Sequence, residues 1–119
     1  MSESTPNQES EPAEAVPRVN WTEDDIRDVL RNVVDPELHM NIVDLGLVYK
    51  VEQQDSMIHV DMTLTSPGCP FGPYILHQVK ENALSMQGVT DANVQVVWDP
   101  MWTPEMMTEE ARLELGFDI

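Results

Sequence analysis

Ile58-His59-Val60-Asp61-Met62-Thr63-Leu64-Thr65, running straight into Ser66-Pro67-Gly68-Cys69-Pro70, decides how this chain folds. Ile58, Val60, Met62 and Leu64 alternate with polar side chains, the period of a strand that buries one face. Pro67 and Gly68 break that strand. From Tyr74 onward Ile75, Leu76, Val79, Ala83 and Met86 recur at helical spacing, with Pro70 or Pro73 near the first turn and Gly88 placed to close the helix. The only cysteine, Cys69, is thus delivered where a strand hands over to a helix. Backbone N–H groups and the positive end of the helix dipole favour thiolate there; a packed core thiol is the competing reading. Thr63 and Thr65 point away from the apolar face and bring two hydroxyls to the same turn, although threonine is also simply a good strand residue.

Working outward, Leu47–Glu52 reads as the preceding strand and Gln53–Ser56 as its turn, which makes an antiparallel hairpin. Ile42–Gly46 adds a short extended piece. Beyond the helix, Val89–Trp98 contains a further strand with Ala92, Val94, Val96 and Trp98 on one face, parallel to the strand before the helix and reached by a right-handed crossover. Upstream, Thr22 and Asp25 form a capping-box variant, Trp21 is placed to staple over Ile26, and Ile26, Val29, Leu30 and Val33 form one helical face that stops before Pro36. After Trp98 comes an aromatic, proline-punctuated link to a last short helix, capped by Thr103 or Thr108 and ending at Gly116. The expected fold is a small α/β (α+β) domain over 21–119 in the order α-β-β-α-β-α. It has a mixed sheet of three strands, four if the extended piece joins, with helices on one face.

Residues 1–20 are rich in Ser, Glu and Pro and nearly free of large apolar side chains, the composition of a disordered tail. Four glutamates and Arg18 give that tail −3 of the formal −16, leaving −13 on the domain itself. Nucleic acid and anionic membrane surfaces are therefore poor partners, and no apolar run is long enough to span a membrane. The single cysteine excludes an internal disulfide and suits a reducing compartment, so cytoplasm is the expected location. With only two lysines, Lys50 and Lys80, against 22 acidic residues, adaptation to high salt is a further reading.

Asp35 and Glu37 suit acid–base work or a hard metal, and Asp before Pro is equally ordinary turn chemistry. His39, His59 and His77 lack ligand spacing. The methionines read as core filler, whereas Trp102, in a turn, either packs across an open sheet edge or anchors a partner. No phosphate loop, dinucleotide fingerprint, nucleophile elbow or zinc-protease motif is present.

Asp35-Pro36-Glu37-Leu38, Val43-Asp44-Leu45-Gly46-Leu47-Val48-Tyr49, and Met62-Thr63-Leu64-Thr65 with Cys69-Pro70 occur in that order. Together with Pro100-x-Trp102 and the Thr108–Gly116 ending they resemble the metal–sulfur cluster biosynthesis family, the SufT- and PaaD-like group related to the eukaryotic cytosolic iron–sulfur assembly factor. The match spans residues 22–117, and the standalone SufT-like type fits best. The resemblance implies a factor that matures or inserts iron–sulfur clusters, not an enzyme, serving client apoproteins together with the assembly machinery. Carried over by position, its site comprises Asp35, Glu37, Leu38, Thr65, Ser66 and Cys69, with Cys69 a transient ligand for iron or a cluster. One thiol falls short of the four ligands a cluster usually takes, so a homodimer sharing two Cys69 residues is the simplest symmetric arrangement. Two alternatives remain at this point: a scaffold that docks clients through Trp102 without binding metal, and a thiol-based redox sensor. His39-Met40 stands where the resemblance leads one to expect smaller residues such as glycine.

Overall fold

The computed structural model describes residues 19–116. The acidic tail expected over residues 1–20 lies, but for Val19 and Asn20, outside them. Helix α1 (Glu23–Leu30) starts at the expected capping box, in which Thr22 Oγ1 accepts from the Asp25 N–H at 3.0 Å and Asp25 Oδ2 accepts from the Thr22 N–H at 3.0 Å. Three acidic residues in its first turn complement the dipole. It ends well short of Pro36, because Asn32 and Val33 already bond back by three residues and tighten the chain out of the helix. Trp21, half-buried against the core, donates its indole N–H to the Gln87 carbonyl at 3.0 Å, tying the entry of α1 to the turn that follows the second helix.

Between α1 and the main sheet the loop Asp35–Asn41 is a hairpin. Its strands β1 (Val34–Asp35) and β2 (Met40–Asn41) form a separate two-stranded sheet. The expected extended piece at Ile42–Gly46 is instead a turn. Asn41 Oδ1 accepts the Asp44 N–H at 2.8 Å, the Gly46 N–H reaches the Val43 carbonyl at 3.0 Å, and Gly46 takes φ +81°. This piece adds no fourth strand to the main sheet, because the side chain of Asn41 satisfies the backbone locally.

Strands β3 (Val48–Gln54) and β4 (Met57–Met62) pair antiparallel around Asp55-Ser56, with Asp55 at φ +56°. Helix α2 (Gly72–Leu84) crosses over, and β5 (Asp91–Val96) pairs with β4 in parallel, giving the order β3-β4-β5. The mixed three-stranded sheet is as expected. Val51, Ile58, Val60, Met62 and Ala92 are buried under the helices. The other face carries the cross-strand rows Lys50–Asp61–Gln95 and Glu52–His59–Asn93.

Two ends differ from expectation. Helix α2 stops at Leu84, four residues before Gly88. The Ser85 hydroxyl bonds the Asn82 carbonyl at 2.6 Å and the Met86 N–H reaches back only to Ala83, so Met86 is buried from a turn. Strand β5 ends at Val96, and Trp98 leaves the sheet 41% exposed just before the cis Asp99–Pro100 bond. After a single 3-10 turn at Pro104–Met106, α3 (Glu109–Glu114) is capped by Thr108 and ends at Gly116, φ +85°. No described helix is long and apolar enough to cross a membrane.

Candidate functional site

The acid turn is built inward. Asp35 is 1% exposed, and its Oδ1 accepts the N–H of Glu37 at 2.7 Å and of Leu38 at 3.2 Å. The His39 N–H donates to the Asp35 carbonyl at 2.8 Å. This carboxylate is therefore occupied in folding its own loop, an Asx-type turn in which the charge strengthens two backbone bonds. Glu37 faces solvent, and Leu38 is half-buried against the core. His39 takes φ +57°, a left-handed position where a side chain is strained, which is the physical reason a smaller residue is expected there.

The thiol turn is built outward. Beyond β4, Leu64 is buried and Thr65 half-buried, while Ser66, Pro67, Gly68, Pro70 and Phe71 are exposed. Cys69 is half-buried and rests on the edge of the core. Two backbone bonds of 3.2 Å shape the turn, from the Cys69 N–H to the Ser66 carbonyl and from the Gly72 N–H to the Cys69 carbonyl. Helix α2 begins at Gly72 with Phe71 as its N-cap, so the thiol stands just upstream of the first turn. Of the two expected hydroxyls only Thr65 stays near the surface. Thr63 is fully buried, and its hydroxyl donates to the Leu64 carbonyl at 3.5 Å.

A relay of backbone bonds joins the two turns at one end of the sheet. The Ile42 N–H bonds to Val33, the Leu47 N–H to Ile42, and the Thr63 N–H to Leu47, at 3.0, 3.0 and 2.8 Å. The C-terminal link closes over the same end. Trp102 Nε1 donates to the Leu45 carbonyl at 2.7 Å, the Thr108 N–H reaches Asp44 at 2.9 Å, and Tyr49 Oη donates to Pro100 at 2.8 Å. Trp102 is thus an internal latch, its ring against the core and its N–H given to Leu45, which is the packed one of the two roles read from its position in a turn. A Cβ on Gly46 would overlap the Met106 carbonyl, so glycine is required there by space as well as by φ. Burial raises the Tyr49 pKa above its ordinary value, opposed in part by the nearby Thr63 side chain.

Among the described residues no three His, Cys, Asp or Glu side chains are grouped to hold a metal ion. His39, His59 and His77 sit on different elements, and His59 instead faces Asn93 across the open side of the sheet. Exposed Phe71 and Tyr74 flank the thiol turn, and sequence reasoning misses both. Their signal is their position, Phe71 at the N-cap of α2 and Tyr74 in its first turn, off the Ile75–Val79 stripe.

Residues 23–96 match the model of a family described as "Iron-sulfur cluster assembly protein". The chain belongs to that family. The matched span takes in both turns and all three strands of the main sheet. Among relatives, the Fe-S protein maturation auxiliary factor SufT of Staphylococcus aureus is 51% identical over 85 residues, 71% of this chain and 97% of that protein. A Fe-S protein maturation auxiliary factor of Porphyromonas gingivalis is 44% identical over 97 residues, 81% of this chain and 92% of that protein. A crystal structure of a domain of unknown function from Bacillus anthracis has the same fold, with TM-score 0.73 and 38% identity over 81% of this chain and 92% of that one.

Proposed function

We propose that this chain is an iron–sulfur protein maturation factor that carries, adapts or targets clusters for client apoproteins and performs no catalysis of its own. The observation that carries the reading is the contrast inside a family defined by cluster assembly: the one cysteine stands on an outward-built turn, held next to a rigid frame. Iron or a cluster is cargo here. Cys69 supplies one soft ligand, and the described residues offer no further set to complete a cluster. The remaining thiols come from a second copy, a partner or a small thiol. Thr65 and Ser66 line the approach to Cys69, and Glu37 is the acidic group left free to face an incoming partner, whereas Asp35 and Leu38 hold the frame. A reducing, cytoplasmic setting suits an unpaired thiol of this kind.

The test is aconitase activity in cells lacking the protein, complemented with wild type or with Cys69→Ala, each extract assayed again after chemical cluster reconstitution. Low activity that only wild type rescues, and that reconstitution restores, supports the reading. Rescue by both variants moves the chemistry off Cys69. The metal-free scaffold then takes over, with exposed Phe71, Tyr74 and Trp98 as its contact residues in place of the latched Trp102. An unrescued deficit that reconstitution cannot repair would remove the cluster from the account.

A further inference from the structure

The two edges of the main sheet are finished differently. On the β3 side, Arg27 Nη1 donates to the Val48 carbonyl at 3.1 Å and Nη2 to Tyr49 at 3.5 Å, and the Gln53 side chain bonds the segment leading into α1. On the β5 side nothing among the described residues pairs with the strand beyond β4. The bond from the Val97 N–H to the Met62 carbonyl sets the parity: odd-numbered residues of β5 turn their backbone towards β4. Ala92, Val94 and Val96 therefore turn theirs outward. The Ala92 N–H agrees, since it is met by its neighbour's Asp91 Oδ1 at 2.8 Å.

Edges left open in this way usually carry lysine, proline or a bulge. Strand β5 has none of these, and it keeps an unbroken register with β4 from Asp91 to Val96. Its even side chains on the helix face include half-buried Val94 and Val96, and its odd ones, Asp91, Asn93 and Gln95, are exposed on the open face near Asp61. A strand laid against this edge would place apolar residues beside Val94 and Val96 on one side. On the other it would meet the Asp91 carboxylate and the Asn93 and Gln95 amides, with Asp61 and Lys50 further along the row, in a molecule of formal charge −16. With −16 on each copy, a second molecule of this chain would bring carboxylates against carboxylates.

We propose that the free edge of β5 docks an extended segment of a partner polypeptide in which apolar residues alternate with lysine or arginine, added as a fourth strand of the sheet. This docking does not depend on metal or on Cys69.

The experiment uses the full chain and two amidated octapeptides of equal composition, one alternating lysine and valine, the other with the two residues in blocks. Binding is followed by calorimetry at low salt and by backbone amide shifts. The alternating peptide should bind at least about tenfold more tightly than the block peptide, with the Val94 and Val96 N–H groups shifted and protected from exchange. Val94→Pro removes an outward N–H and no bond to β4, so it should erase the preference while circular dichroism stays native. Should that variant misfold, protection of the Val94 and Val96 amides in wild type decides the matter. Equal binding of both peptides would reduce the effect to bulk charge and overturn the proposal. Shifts centred on β3 would also overturn it, as would a dimer of the free protein that Val94→Pro dissolves, which would make a second copy the occupant.

Discussion

The acid turn and the thiol turn leave the sheet at the same end and are joined by one relay of backbone bonds, yet they are held in opposite ways. Residues 33–47 point their polar groups at each other: Asp35 closes its own loop, Asn41 closes the next, and the C-terminal link is bolted to Asp44, Leu45 and Gly46. Residues 65–71 are shaped by two long backbone bonds and have an almost wholly exposed surface. On the function proposed above, stability and chemistry are thus divided between neighbouring loops. The residues that resemblance places in one site are held differently: Asp35 is buried and bonded within its own loop, whereas the loop carrying Cys69 is mostly exposed.

Mutations can break or sharpen that division. Gly46→Ala should be the most damaging, costing about 3–5 kcal/mol from the left-handed backbone and the overlap with Met106 combined. Asp35→Ala orphans two N–H groups beside a buried site and should cost about 2–4 kcal/mol, whereas Asp35→Asn keeps the acceptor and should cost about 1. Both are read by urea denaturation. Trp102→Phe, which loses one indole bond, should cost about 1 kcal/mol. On the other side of the comparison, Gly68→Ala meets nothing within 4 Å, and Cys69→Ala removes only a half-buried thiol. Each should shift stability by less than about 1 kcal/mol, although Cys69→Ala should silence maturation in cells. If Asp35→Ala proved no more costly than Cys69→Ala, the two turns would not be mechanically distinct.

The smallest effect concerns pH. Because the folded Tyr49 holds its proton above the ordinary tyrosine pKa of about 10, its contribution to stability is complete below that value and is lost as pH rises through the folded pKa. A slight alkaline loss of stability should appear above about pH 10 and be absent in Tyr49→Phe. A loss of equal size in the variant would assign it to other groups.

Much of the fold is legible along the chain, and the failures share a cause. The capping box at Thr22 and Asp25 is a pattern within four residues and is visible in the sequence, as is the strand alternation in β4, whereas the choice between Thr103 and Thr108 as the cap of α3 is made only by the structure, in favour of Thr108. Asn41 and Asp44 share only half of that pattern, the Asn41 side chain accepting the Asp44 N–H while its amide donates to the Asp44 carboxylate, and the run of apolar residues around them reads as extended until those bonds are seen. Trp102 leaves two roles open for a different reason. Its partner, the Leu45 carbonyl, lies 57 residues away in sequence, and nothing local shows that the N–H of a turn tryptophan is already spent. At the site, Cys69 can be placed from its strand, turn and helix neighbours. The burial of Asp35 and the exposure of Glu37 cannot, because both occupy one loop of equal polarity.

The three tryptophans also have an optical consequence. Two of the indoles are already hydrogen-bonded, Trp21 to Gln87 and Trp102 to Leu45, while Trp98 is exposed at the end of β5. The emission spectrum therefore divides into two reporters of the folded frame and one reporter of the exposed rim at the end of β5. With Trp21 and Trp102 each exchanged for phenylalanine, the remaining fluorophore would register by a blue shift whatever covers that rim, without a label added to the molecule.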